Sequence, residues 1–249
     1  MIYLGLKGYG DLAILLAHIV RIESRSTLIV RADLYDFAVN ILGNRHEIIK
    51  LRHVAKVFPL YFIKKISLRN IVIMAKGYFE IKKIVNSKRQ VIVLDIKSWR
   101  NIFFFLFLPR LFLPKAETIY ESYEKFLGFK LNAHMPDGNC KKYVIFPQGS
   151  LPSKQASLAT IKNALNKSGI SSYDVVIGLY RDDGIVLSDY DEFNKWIFES
   201  VSELIDGIKG FDAVISVDTF QLHLAILLNK PVIPIGIINE YFKLPFEVK

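Results

Sequence analysis

Residues 213–236 read AVISVDTFQLHLAILLNKPVIPIG, and this stretch decides the fold. Val214, Ile215 and Val217 form a short β-branched run of the kind that favours a strand. Asp218 and Thr219 are residue types that cap a helix, a helix is expected near 219–228, and Pro231 opens a second run from Val232 to Ile235. Strand, polar turn, helix and strand within so short a segment make a βαβ unit. In open parallel sheets ligands bind outside the carboxyl ends of the strands, where a helix N-terminus offers unpaired N–H groups to a phosphate. A ligand is therefore expected at the Asp218-Thr219 end.

The same alternation extends through the chain. In the second half, strands are expected near 143–147, 173–179, 213–217 and 232–235, with helices near 156–168, 193–208 and 219–228. In the first half, strands are expected near 2–6, 26–30, 46–50, 69–74 and 90–94, with helices near 11–23, 33–43, 53–64 and 77–87. Alternating strands and helices imply α/β architecture with doubly wound parallel sheets. The segment 120–131 reads as a helix, and 132–142, with its Pro, Gly and Asn, reads as a linker between domains spanning 1–131 and 142–249. The amphipathic run 198–210 reads as a packing helix without chemistry.

Two further segments carry candidate chemistry. The N-terminus, MIYLGLKGYGDLAILLAHIVRIE, runs from a strand through a Gly-rich turn into a helix, with Gly10 and Asp11 at the junction. Asp11 is favourable beside the helix dipole even without a function. Lys7-Gly8-Tyr9-Gly10 is not a dinucleotide fingerprint, because the third glycine is missing. The stretch 143–154, YVIFPQGSLPSK, is a strand ending in a loop that carries Gly149, Ser150, Ser153 and Lys154. Such a loop is ordinary when solvated. It also supplies hydroxyl donors and a mobile ammonium suited to a phosphate.

In their order and spacing, Gly10-Asp11, the Gly149 to Lys154 loop, and Asp218-Thr219 followed by His223-Leu224 resemble the family-nine glycosyltransferases, the lipopolysaccharide heptosyltransferases and their relatives. The family signature has glycine where this chain has Phe220, and a basic residue with tryptophan where it has Gln155-Ala156. The resemblance implies the GT-B arrangement, two Rossmann-like domains facing a cleft. It implies an inverting, metal-independent transfer of a heptose-like sugar from a nucleotide sugar, ADP-linked in the best-known relatives, to a bacterial surface glycolipid or polysaccharide, with no cofactor. Asp11 is then the general base. Ser150, Lys154 and Thr219 hold the diphosphate, Asp218 orients donor hydroxyls, and His223 either contacts phosphate or supports the turn. Gly10, Gly149, Ser153 and Phe220 have supporting places. Phe220, Gln155 and a chain stopping soon after the last strand leave open a second reading, a non-catalytic binding or scaffold subunit of a glycan-assembly complex.

Composition bounds these readings. The chain has 249 residues, 51% hydrophobic and 23% charged, which suits a globular protein. Residues 1–125 carry 21 Lys and Arg against 10 Asp and Glu, whereas residues 126–249 carry 12 against 14. A basic first half suits an anionic partner such as a phosphorylated glycolipid or an acidic membrane surface. Nucleic acid is the weaker reading, since no recognised motif for it occurs. A single cysteine, Cys140, excludes an intramolecular disulfide, and five histidines without ligand spacing give no reason to expect a metal. No secretory leader is evident, so a cytoplasmic location, at the inner membrane's cytoplasmic face, is expected. The segment 102–113, IFFFLFLPRLFL, is short of the ~20 apolar residues needed for a crossing helix, and Pro109-Arg110 interrupts it. It reads as a buried strand or helix with a tight turn. The alternative is an interfacial patch formed with Trp99, Arg100, Arg110 and Lys115.

Overall fold

Ten strands among the described residues fall into two five-stranded sheets, and every pairing within them is parallel. The computed structural model describes residues 1–52, 68–95, 102, 105–149, 154–181, 190–236 and 238–246. The chain divides into two units, Met1–Lys130 and Leu131–Lys249.

Unit 1 runs β1 (Ile2–Gly5), α1 (Tyr9–Ile19), β2 (Thr27–Arg31), α2 (Tyr35–Leu42), β3 (Glu47–Leu51), α3 (Leu68–Lys88), β4 (Ile92–Leu94), β5 (Arg110–Phe112) and α4 (Ile119–Leu127). Its sheet order is β3-β2-β1-β4-β5. Unit 2 runs β6 (Tyr143–Phe146), α5 (Leu158–Ser168), β7 (Val175–Tyr180), β8 (Asn194–Phe198), α6 (Val201–Lys209), β9 (Ala213–Ser216), α7 (Phe220–Leu227) and β10 (Val232–Pro234). Its order is β10-β9-β6-β7-β8. Counted from each unit's own first strand, the two plans are identical. The winding direction reverses between β1 and β4 in unit 1, and between β6 and β9 in unit 2, so each unit has one topological switch point.

Helices on both faces of a parallel sheet bury the strands on both sides, which is why β6 and β9 carry no charged residue and are wholly buried, as is β2, whose one charged residue, Arg31, is paired with Asp33 at its end. On one face of unit 1, Ile81 and Val85 of α3 pack with Ile2, Ile29, Ile92, Phe105 and Leu108. In unit 2, Ile161 and Leu165 of α5 pack with Ile145, Ile177 and Ile215. Each such fully buried side chain contributes about 1.5–3 kcal/mol. Tight spots fix the layers: Trp196 lies against Gly207 of α6, and Phe146 against Gly178 of β7.

The fold departs from expectation in three places. Residues 69–74, whose β-branched Ile71, Val72 and Ile73 suggest a strand, lie inside α3; the fifth strand of unit 1 is instead β5. Met74, Tyr78, Ile81 and Val85 form a helical stripe against the core, and that packing overrides local propensity. Residues 194–198, expected as helix, form β8. The segment 132–142 is not a free linker throughout: the Ala133 N–H donates to the Pro245 carbonyl at 2.9 Å, and His134 accepts from the Val232 N–H at 2.8 Å. The helix expected near 53–64 lies outside the described residues. Among the described residues no helix is long and apolar enough to cross a membrane.

Candidate functional site

The chain leaves the unit 2 switch point through two adjacent strand ends. Phe146 of β6 is in register with Ser216 of β9, so both strands stop at one level. Beyond β9, Val217-Asp218-Thr219 leads directly into α7, with Thr219 as its N-cap. Beyond β6, the chain turns at Pro147 and comes back, the Ala156 N–H donating to the Pro147 carbonyl at 2.8 Å. Gly149 makes this return possible. A Cβ there would meet the Lys154 carbonyl at 3.0 Å, Lys154 Cβ at 2.6 Å and Thr219 Cγ2 at 3.1 Å, so only glycine lets the two loops lie this close.

The close approach delivers Lys154 to Asp218. Lys154 Nζ donates to Asp218 Oδ2 at 2.8 Å and to the Asp218 carbonyl at 3.1 Å. The Asp218 side chain is 2% exposed. His223 Nε2 lies 3.5 Å from Oδ1, and the Asn239 N–H donates to Oδ2 at 3.4 Å. Burial pushes the Asp218 carboxyl up, but His223, Lys154 and Asn239 outweigh it and hold the group at about 2. Asp218, expected to orient donor hydroxyls, thus has both oxygens engaged by protein groups. Lys154 is 28% exposed and directs two of its three N–H bonds at Asp218.

Thr219 is half-buried, and its Oγ1 meets Ser216 Oγ at 3.2 Å without capping the helix. By contrast, α4, α5 and α6 are capped by the side chains of Thr118, Ser157 and Ser200. Phe220 is the first residue of α7 and half-buried, while His223 lies one turn in, 6.1 Å ring to ring from Phe242. Ser150 and Ser153 lie outside the described residues.

The unit 1 switch point holds a recess of about 50 Å³ whose lining includes Gly5, Lys7, Asp11, Asp95 and Tyr123. Helix α1 begins two residues before Asp11, with exposed Gly8 as its N-cap and half-buried Gly10 in its first turn. Lys7 Nζ lies 3.4 Å from Asp11 Oδ1 and 4.0 Å from Asp95 Oδ2, and Asp95 is 10% exposed. Burial, then the charges of Asp95 and Asp11, push the Tyr123 phenol well above its usual range. Two carboxylates, one ammonium and one neutral phenol suit a ligand bearing hydroxyl groups.

Sequence reasoning passed over Lys7, Asp95, Tyr123 and Asn239. A signal existed for Asp95: it follows the apolar run 91–94 as Asp218 follows 213–217, the first polar residue past a strand at a switch point. Tyr123 and Asn239 have no comparable signal, since both reach their sites through tertiary packing. Among the described residues no group of three His, Cys, Asp or Glu side chains is placed to hold a metal ion.

No family model and no curated protein matches the sequence. Solved structures do match the fold. The chain superposes on the glycosyl transferase family 9 protein from Veillonella parvula with a TM-score of 0.63 and 14% identity, covering 99% of this chain and 84% of that one. For E. coli ADP-heptose lps heptosyltransferase II the TM-score is 0.59 with 13% identity, over 99% and 88%. For E. coli heptosyltransferase WaaC with ADP it is 0.54 with 14% identity, over 94% and 86%. The chain shares the α/β, GT-B-class fold of these proteins along nearly its whole length.

Proposed function

We propose that the chain is an inverting, metal-independent glycosyltransferase that moves a heptose-like sugar from a nucleoside diphosphate to an anionic bacterial surface glycolipid or polysaccharide, at the cytoplasmic face of the inner membrane. One observation carries the reading: Lys154, the Gly149 turn and the start of α7 converge at the carboxyl ends of β6 and β9, where an α/β sheet binds its ligand. In this reading the diphosphate takes the third N–H of Lys154 and the first-turn N–H groups of α7. The ammonium then stabilises the negative charge that grows on the leaving diphosphate. Asp218, enclosed by its partners, serves as a positioning residue that aims Lys154, and His223 supports it. Asp11 accepts the acceptor's hydroxyl proton, and the resulting oxygen attacks the anomeric carbon on the face opposite the diphosphate. The C–O bond to the diphosphate breaks as the new one forms, so configuration inverts.

An ADP-linked donor is supported by the proteins of like fold, one of which was solved with ADP. The test is titration of ADP, UDP, GDP and CDP into the wild type and Lys154→Ala at fixed salt. Binding of one nucleotide in preference to the others, weakened by the substitution, is expected and names the donor class. A folded wild type that binds none would refute the transferase reading and leave a scaffold role.

A further inference from the structure

Large apolar side chains at the surface of the described chain are concentrated in two segments of unit 1. Seven of the eleven lie on α3 or between residues 106 and 112, led by Phe107 at 83% and Phe79 at 64% exposure. Helix α3 is two-sided. Met74, Tyr78, Ile81 and Val85 face the core, while Val72, Lys76, Phe79 and Lys83, spaced 4, 3 and 4 residues apart, are all exposed on the opposite side. The acid of this helix, Glu80, accepts the Arg52 N–H and stands outside the exposed stripe.

The turn bearing Phe107 covers the same core as α3, since its neighbours Phe105 and Leu108 are buried in the cluster that receives α3. It is held from below. The Arg110 guanidinium donates to the carbonyls of Phe105, Leu106 and Leu108, so Phe107 is displayed by a stapled turn. Next to it, Leu111 is 43% exposed on β5, the edge strand of the sheet.

From this arrangement we infer that the α3 outer stripe and the Phe107 turn form a surface that docks on an anionic phospholipid bilayer. Exposed rings and aliphatic side chains enter the headgroup zone while interleaved ammonium groups meet lipid phosphates. Charge selects this occupant: the stripe alternates apolar and cationic residues without an acid, and unit 1 holds 22 Lys and Arg against 10 Asp and Glu. The inference extends the acceptor side of the proposed reading, and its observations are independent of the transfer chemistry.

The test is co-sedimentation of the full chain with vesicles of phosphatidylcholine alone or mixed with phosphatidylglycerol. The wild type should bind the mixed vesicles, and more weakly at high salt. Phe107→Glu should lower the partition coefficient about tenfold, the scale of one aromatic side chain withdrawn from an apolar environment. The pair Lys76→Glu and Lys83→Glu should remove the preference for anionic lipid. Tyr173→Glu, at a 92% exposed position of unit 2, should bind as the wild type does. Far-ultraviolet circular dichroism and nucleotide titration on the same proteins report folding and the unit 2 site separately. Wild type that ignores both vesicles overturns the inference, as do Phe107 and lysine variants that bind unchanged. A wild-type dimer that shows no lipid binding and is dissociated by Phe107→Glu also overturns it, assigning the face to a second copy.

Discussion

Replacing Lys154 with methionine keeps most of the side-chain volume and leaves the Asp218 carboxylate, 2% exposed, without its 2.8 Å cationic partner. Breaking a fully buried ion pair from one side costs about 3–5 kcal/mol, and because Lys154 is itself 28% exposed the cost falls at or just below that range, about 2–3 kcal/mol. Linkage gives the scale for the whole Asp218 cluster, which Lys154 shares with His223 and the Asn239 N–H. In the folded chain Asp218 is lowered from its ordinary 3.8 to about 2. At about 1.4 kcal/mol per pH unit, that contributes roughly 2.5 kcal/mol. The contribution is fully present above pH 3.8 and is lost as the pH falls through about 2. The stability gap between wild type and Lys154→Met should therefore be widest at neutral pH and narrow as the pH drops below 4. Urea unfolding followed through Trp196 in a Trp99→Phe background reads unit 2 alone. Should acid unfold the chain before the gap closes, a double-mutant cycle with Asp218→Asn at neutral pH should give a coupling of about 2 kcal/mol. A neutral-pH gap below about 1 kcal/mol, or one that stays constant down to pH 3, refutes the assigned pairing.

Three more outcomes are expected. Asp11→Asn should lower turnover by about 10²–10⁴ while leaving donor binding intact, checked by product formation and nucleotide titration. Gly149→Ala should destabilise unit 2 by about 1–3 kcal/mol and weaken nucleotide binding with it, because the added methyl meets the Lys154 backbone; unchanged melting and binding would show that the loop relaxes at no cost. His18 is wholly buried, and burial, opposed by the Ile14 carbonyl, lowers it from 6.5 to about 4. Its stabilising contribution is present above pH 6.5 and lost as the pH falls through about 4, so His18→Gln should flatten an acid decline in unit 1 stability of about 3 kcal/mol.

What could be read from the sequence follows the range of the forces involved. The unit at 213–236 was legible because β-branched residues, a polar turn and a proline-led strand sit within a few residues of one another. The same local reading failed at 69–74, where Ile71, Val72 and Ile73 suggest a strand and only the stripe continuing to Val85 reveals a helix. It failed again at 194–198, although Ser200 and Glu203 carry a signal against it. Ser200 Oγ accepts the Glu203 N–H, and Glu203 accepts the Glu199 N–H, so Ser200 caps a helix that begins at Val201 and the residues before it are free to pair with β7. In the candidate site, Lys154 and Asp218 could be nominated singly. Their pairing could not be, because 64 residues and a close loop crossing at Gly149 separate the two choices.

The Lys154–Asp218 pair also sets what the site ignores. An ammonium already neutralised by its own carboxylate presents little net field, so passing anions are not concentrated there on charge alone. On the proposed reading, an incoming phosphate would share the cation with a resident anion that cannot leave, and simple ions such as inorganic phosphate or sulfate would gain little from the exchange. The advantage would pass to a ligand that brings further contacts of its own, as the proposed donor does with a base, a ribose and a sugar. Discrimination at this point of the molecule would then come from the counter-ion the chain carries for itself.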